Sequence, residues 1–212
     1  MEISSFLQTA PVASAIFVIT LITTFIAFYN DQVYEGFILH PYYVYQGKKL
    51  YTLITSGFIH LDLMHLFFNM FTFYYFAPPI EAVLGHWQFL LLYIVSMVLA
   101  DLPSVAKHHN NFGYRSLGAS GAISAVIFSF ILFAPFTGMG ILFIPVSIPA
   151  VVFGALYLVY CSYASKKQWG NINHDAHLFG AIAGLMITAI LQPHVLGDFV
   201  HIVSAKVQSW TH

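Results

Sequence analysis

Residues 117–133 read LGASGAISAVIFSFILF. This stretch has no charged residue and approaches the roughly 20 mostly apolar residues that a helix needs to cross the hydrocarbon of a bilayer. Its first serine, Ser120, lies between small residues near one end. Polar side chains inside such segments are costly and are usually functional. The stretch therefore predicts a membrane helix that carries chemistry.

The composition of the whole chain is that of a membrane protein. Of 212 residues, 59% are hydrophobic and only 7% are charged, whereas a soluble domain carries about 25% charged residues. The formal net charge of −1 provides no basic footprint, so we expect no nucleic-acid partner. The single cysteine, Cys161, cannot form an internal disulfide.

Polar interruptions divide the chain into six apolar segments, which we predict to be the helices of an all-α, polytopic membrane protein. Their predicted bounds are residues 12–29, 62–78, 87–101, 117–133, 147–164 and 175–192. We predict one domain over residues 1–212, with residues 193–212 as a short tail. The first segment is interpreted as a retained anchor, because no small-x-small cleavage site follows it. The aromatic stretch after it is predicted to lie along the membrane surface.

Local signals predict where two of these segments begin and end. Asp62 is a plausible cap for the start of segment two, and Pro78 with Pro79 is expected to end it, because proline interrupts helical hydrogen bonds. Segment three is expected to end at Asp101, shortly before Pro103.

The three even-numbered segments each begin with polar residues. His65 and Asn69 lie in the first two turns of segment two, Ser120 in the first turn of segment four, and His177 in the first turn of segment six. In a chain that crosses six times, these segments start at the same face of the membrane. We therefore expect the four side chains to lie at a similar depth below one surface.

These residue types suit nucleophilic hydrolysis of a peptide bond. A serine becomes a good nucleophile only when a base within about 2.6–3.2 Å accepts its proton, and His177 is the candidate base for Ser120. His65 and Asn69 lie four residues apart on one helix face, as donors to an oxyanion would. Small residues that permit close helix packing accompany both catalytic candidates: Gly118, Gly121, Gly180 and Gly184.

Taken singly, these residues also have structural interpretations. A serine among small residues in a membrane helix usually packs or bonds to the preceding turn. Four further histidines are interpreted as interfacial: His60, His108, His109 and His174. A non-catalytic membrane protein in which His60, His65 and His177 hold a metal or another ion stays open as an alternative.

Three motifs carry a resemblance to a known family: HLDLMHLFFN at residues 60–69, GASG at 118–121 and AHLFGAIAG at 176–184. In this order the chain resembles the rhomboid intramembrane serine proteases. The resemblance implies a six-helix bundle, a Ser120–His177 dyad without an acid, and an oxyanion site using His65, Asn69 and the Ser120 backbone N–H. It implies no cofactor and no metal. The implied partners are the lipid bilayer and transmembrane protein substrates, cut near the bilayer surface.

Two features depart from the family pattern. Many relatives have a tyrosine one turn after the nucleophile, stacked on the catalytic imidazole; here that position is Ser124, so another contact has to orient His177. The family usually places its active site opposite the cytoplasm, and we keep that expectation. The positive-inside rule argues against it, because most cationic residues lie in loops on the active-site face: Lys48, Lys49, Lys107, Arg115, Lys166 and Lys167.

Further expectations follow from the resemblance. The surface-lying first loop and a movable fifth segment would shape substrate entry, with Phe68 and Phe153 as candidate gate residues. Asp175, two residues before His177, points elsewhere on a helix and is predicted to be an N-cap. The plasma membrane is the expected host. A catalytically inactive rhomboid-like scaffold remains the alternative to a protease.

Overall fold

A computed structural model describes residues 8–141, 144–167, 169–170 and 172–209. The chain is mainly helical, as the sequence predicts. In chain order the elements are α1 Pro11–Tyr29, α2 Asp31–Phe37, α3 Pro41–Tyr45, α4 Thr52–Thr55, the 3-10 turn Ser56–Phe58, α5 Leu63–Leu84, α6 His86–His108, α7 Ser120–Phe133, β1 Gly138–Ile141, β2 Ile144–Pro149, α8 Ala150–Lys167, α9 His174–Leu191 and α10 Val195–Gln208. The two strands form an antiparallel pair that the sequence analysis did not predict.

Helix α7 is the centre of the bundle. Most of its side chains are buried, and it contacts α5, α6, α8 and α9. The largest buried side chains around it include Phe73 of α5 and Phe89 and Tyr93 of α6. The helix that begins with Ser120 is therefore enclosed by other helices along its length.

Among the residues that the structure describes, three helices are long and apolar enough to cross a membrane, namely α1, α6 and α9, and α7 is a shorter apolar helix. The outer face of α1 exposes Ile19, Ile22 and Ile26, a surface suited to lipid. The protein is therefore an integral membrane protein. Helices α5 and α8 have comparable lengths, but their polar residues lower their hydropathy, so length and composition do not resolve the expected six spans.

Helix α5 does not end at Pro78 and Pro79 but continues to Leu84. A proline in a helix interior costs about 3 kcal/mol, and contacts made by the last turns offset this cost. Ile80 and Leu84 are buried in the core. The buried Glu81 carboxylate accepts the N–H groups of Val12 at 3.0 Å and Ala13 at 2.7 Å, which ties α5 to the start of α1.

Helix α6 likewise continues past Asp101 and Pro103 to His108. The residues after the proline are held by tertiary contacts. Val105 packs in a small cluster with Leu39 and Val44, and the Ser104 hydroxyl donates to Asn173 Oδ1 at 3.0 Å. These contacts make the last turns of the helix favourable despite the proline.

Two further helices begin later than predicted. Helix α7 starts at Ser120 rather than residue 117, because Gly118 has a φ of +111° that a helix does not allow. Helix α8 starts at Ala150 rather than residue 147, because the preceding residues pair with β1.

Helix α9 begins at His174 and ends at Leu191, one residue earlier at each end than predicted. Part of the predicted tail forms α10, anchored by the buried Val195.

Candidate active site

Ser120 is the first residue of α7, and the 116–119 segment holds it in place. The Gly118 N–H donates to the Ser56 carbonyl at 2.9 Å, and Ser116 pairs with Leu39 through two backbone hydrogen bonds. The Ser120 side chain is partly exposed. The first backbone N–H groups of a helix have no intrahelical partner, so the start of α7 favours negative charge close to Ser120.

His60 is buried beneath this segment, although its place in the sequence predicts an interfacial residue. Its exposed fraction is 0%. Ala119 N–H approaches His60 Nε2 at 3.5 Å, and His60 Nδ1 lies 3.1 Å from the Thr24 hydroxyl. Burial lowers the pKa of His60 to about 3, with the nearby His65 adding to the effect. A neutral His60 therefore supports the residue that precedes Ser120.

The His65 ring lies directly against Gly118. A Cβ at position 118 would be 2.6 Å from His65 Cε1 and 2.7 Å from Nε2, so only glycine fits both the space and the positive φ. Leu61 N–H makes a long contact of 3.5 Å to His65 Nδ1. Because that nitrogen accepts, the neutral ring carries its proton on Nε2, the nitrogen beside Gly118.

The cap predicted for this helix is confirmed, and Asn69 lies one turn further along. Asp62 Oδ1 accepts the His65 N–H at 2.7 Å. The buried Asn69 donates from Nδ2 to the His65 carbonyl at 2.9 Å. An amide nitrogen has two N–H donors, so one remains for another acceptor.

His177 lies in the first turn of α9, which packs backbone to backbone against α7. A Cβ on Gly180 would overlap the Gly121 carbonyl, and one on Gly184 would overlap the Ala125 backbone. A Cβ on Gly121 would lie 3.4 Å from the carbonyl oxygen of Ala176, the residue before His177. The small residues therefore bring the helix starts that carry Ser120 and His177 side by side.

Asn173, rather than Asp175, caps α9. Its Oδ1 accepts the Ala176 N–H at 3.0 Å, and its Nδ2 donates to the Ser116 hydroxyl at 3.0 Å. Asp175 instead accepts Lys107 Nζ at 2.8 Å and the Ser165 hydroxyl. The N-cap prediction for Asp175 was wrong, because the residue just before the helix supplies the cap and Asp175 faces a lysine of α6.

Tyr157 of α8 provides the aromatic ring that position 124 lacks. Its ring is nearly parallel to that of His177, with an interplanar angle of 13° and centroids 6.3 Å apart. Ser124 donates to the Ser120 carbonyl at 2.8 Å, and the Tyr157 hydroxyl lies 2.7 Å from Ser124 Oγ. Since a serine hydroxyl has one proton, Tyr157 is the donor to Ser124. The signal in the sequence was the absence of tyrosine at 124, but it did not identify Tyr157.

The two candidate gate residues, Phe153 and Phe68, lie on α8 and α5. Phe153 stacks on Tyr157 with centroids 5.8 Å apart, and Phe68 is exposed on α5. Within the described ranges, no hydrogen bond joins the Ser120 hydroxyl to the His177 ring. Catalytic hydrogen bonds are often long without substrate and tighten when it binds.

Comparisons with known proteins show which family the chain resembles. The Rhomboid domain family matches residues 47–194, more than half of the chain. Presenilin-associated rhomboid-like protein A, mitochondrial, of Danio rerio is 32% identical over 135 residues, covering 63% of this chain and 35% of its own. RHOMBOID-like protein 12, mitochondrial, of Arabidopsis thaliana is 30% identical over 154 residues, covering 65% and 45%. YdcA of Bacillus subtilis, named as a candidate rhomboid protease, is 29% identical over 138 residues, covering 64% of each chain.

The chain spans less than half the length of the two mitochondrial relatives. The matched region nevertheless includes the whole site, from the start of α5 through α7 to α9. The chain belongs to the rhomboid family.

Proposed function

We propose that this protein is an intramembrane serine endopeptidase that cleaves transmembrane substrates near the bilayer surface. The observation that carries the proposal is the contact between the starts of α7 and α9. Gly121 packs against Ala176 there, which sets Ser120 and His177 on adjoining turns. The apolar surroundings favour a catalytic role, because polar side chains inside hydrocarbon are rarely kept without one.

In the proposed reaction, His177 accepts the Ser120 hydroxyl proton as the oxygen attacks the substrate carbonyl carbon. The carbonyl π electrons move to its oxygen and form a tetrahedral oxyanion. When this intermediate collapses, the C–N bond breaks and His177 gives its proton to the leaving amine. Water, deprotonated by His177, then attacks the acyl-serine and releases the second product with Ser120 restored.

The oxyanion would be stabilised by donors from two helices. His65 Nε2–H beside Gly118, the second Asn69 N–H and the backbone N–H of Ser120 are the proposed donors. One such donor is commonly worth about 2.7–4 kcal/mol of transition-state stabilisation. The helical backbone of a substrate hides its carbonyls in hydrogen bonds. We therefore expect cleavage near Gly or Pro, where a helix unwinds more easily.

The membrane arrangement is part of the proposal. We propose six spans, adding α5, α7 and α8 to the three helices that qualify by length and hydropathy. The host is proposed as the plasma membrane. The names of several relatives favour a mitochondrial membrane instead, and fractionation of cells expressing the tagged chain decides between them.

A serine-directed fluorophosphonate probe tests the nucleophile without knowledge of the substrate. The purified protein in lipid should be labelled at Ser120 and lose labelling in the Ser120→Ala and His177→Ala variants. Ser129→Ala is the matched control, because Ser129 lies on the same helix and its hydroxyl accepts a hydrogen bond from Thr188 instead. Failure to label folded wild-type protein would favour the inactive scaffold.

The ion-binding alternative loses support from the contacts of His60. Both of its ring nitrogens face protein groups, the Thr24 hydroxyl and the Ala119 N–H. A lone pair engaged by Ala119 is not available to a cation, and this contact supports the protease over an ion site made of His60, His65 and His177.

A further inference from the structure

Three side chains of metal-ligating type meet between α8 and α9. Cys161 of α8 and His174 and His177 of α9 each offer one ligand atom, and the three atoms lie within 4.8 Å of one another. Residues three apart on a helix share a face, so the two histidines are directed toward the same neighbour. The cluster contains one residue of the proposed dyad and two residues for which the mechanism has no use.

His174 is oriented as a metal-binding histidine usually is. Its place near a segment end predicts an interfacial residue, but its exposed fraction is only 4%. Its Nε2 donates to the Trp169 carbonyl at 3.1 Å. Ligating histidines commonly donate their second ring N–H to a carbonyl in this way, which fixes the tautomer and leaves the other nitrogen as a lone pair.

That other nitrogen, His174 Nδ1, is buried and has no hydrogen-bond partner among the residues that the structure describes. A buried polar atom left without a partner costs about 1–3 kcal/mol. A cation bound to the lone pair of His174 Nδ1 would remove this free-energy cost. Cys161 is the only cysteine of the chain and is fully buried, and its sulfur lies within 4.8 Å of a ring nitrogen of His174.

The donor set matches Zn²⁺ in chemistry and nearly in size. One thiolate and two imidazoles are ligands that Zn²⁺ prefers, at about 2.3 Å to sulfur and 2.0–2.1 Å to nitrogen in a tetrahedral arrangement. Those bond lengths separate the ligand atoms by about 3.4–3.6 Å. Side-chain rotations that close the observed separations by roughly 1 Å would complete three corners and leave the fourth for water.

We propose that Cys161, His174 and His177 bind Zn²⁺ or a similar soft divalent cation, and that the bound ion inhibits the protein by occupying the imidazole of His177. On binding, the Cys161 thiol loses one proton to solvent and the two neutral imidazoles donate lone pairs. The inhibition rests on the proposed protease function, whereas the binding does not. This proposal departs from the expectation of no metal that the family resemblance implies, and the ion would oppose catalysis.

Cobalt titration tests the binding independently of activity. Co²⁺ bound to a thiolate gives a charge-transfer band in the near ultraviolet, and with one cysteine in the chain this band can come only from Cys161. Wild-type protein in detergent should show the band, and Zn²⁺ should abolish it by displacement. Cys161→Ala should show no band, and His174→Ala should bind at least tenfold more weakly. His201→Ala, in the exposed part of α10, is the matched control and should bind as wild type does.

Inhibition is measured as the ratio of cleavage with and without Zn²⁺ within each variant, so a change in basal activity does not matter. Wild type and His201→Ala should be inhibited, and Cys161→Ala and His174→Ala should resist the same Zn²⁺ concentration. Far-ultraviolet circular dichroism confirms that each variant is folded. No cobalt band in folded wild type, or an equal band in Cys161→Ala, would overturn the proposal. If the protein cuts no substrate, the cobalt result still stands alone.

Discussion

Tyr157→Ala is expected to slow turnover by about 5- to 70-fold. Two contributions make up this figure. The hydroxyl bond to Ser124 is worth about 0.5–1.5 kcal/mol. Aromatic pairs contribute about 0.5–1.5 kcal/mol, and the 6.3 Å centroid separation from His177 favours the lower half of that range, about 0.5–1 kcal/mol. Their sum of about 1–2.5 kcal/mol, at 1.36 kcal/mol per factor of ten, gives the stated range.

The assay is steady-state cleavage of a single-pass model substrate in lipid, with kcat and KM measured separately. Tyr157 lies beside the imidazole and is hydrogen-bonded to Ser124, so kcat should fall while KM changes little. Tyr157→Phe keeps the ring and loses only the hydroxyl, so its loss should stay within about tenfold. Tyr163→Ala is the matched control, because that tyrosine lies on the same helix but is exposed and contacts Trp169.

A ring exchange sharpens the test. Adding Ser124→Tyr to Tyr157→Ala moves the tyrosine to the position where many rhomboid relatives have it. The new ring can occupy the space that the Tyr157 ring leaves. The double variant should recover part of the lost kcat. Wild-type kcat in Tyr157→Ala, or a loss confined to KM, would refute the assignment of Tyr157 as a positioning residue.

Three further variants test the packing of the site and of the helices that carry it. Gly118→Ala should reduce kcat about 100-fold, because the His65 ring must withdraw by about 1 Å and misplacement of that size costs roughly this much; cleavage kinetics measure it, and near-normal kcat would contradict the oxyanion geometry. Gly180→Ala should destabilise the fold by about 1–3 kcal/mol through overlap with Gly121, which thermal unfolding in detergent would detect; an unchanged Tm would show that α7 and α9 are not in backbone contact. Glu81→Gln should lower Tm by weakening the hold on the start of α1, and limited proteolysis should cut α1 faster; equal rates would rule out this role.

Gly197→Ala is the control for the two glycine variants. Nothing lies within 4 Å of a Cβ at this position, and its φ is outside the left-handed range. It should leave both cleavage and Tm close to the wild-type values, so any effect in the other variants reports their neighbours rather than loss of glycine itself.

The places of Ser120 and His177 near helix starts could be predicted from sequence, because they depend only on where apolar segments begin. Ser120 and His177 each lie in the first turn of a helix, and the helices that carry them adjoin. The side-chain contacts between neighbouring helices could not be predicted. The helix with Tyr157 has no strongly polar face, so periodicity does not say which side meets His177.

The predictions of where two helices end were wrong for a related physical reason. Local propensity predicted stops at Pro78 and near Pro103, but both helices continue where the following residues gain buried contacts or hydrogen bonds. His60 and His174 were placed at the interface because histidines near segment ends usually contact water. Their burial depends on the folded 116–119 segment and on the Trp169 carbonyl, which only the tertiary structure supplies.

Cleavage of a single-pass substrate by purified protein in liposomes tests the central claim most directly. Wild type and Ser129→Ala should cut the substrate, and Ser120→Ala and His177→Ala, equally folded, should not. Cleavage retained by either dyad variant would contradict the mechanism.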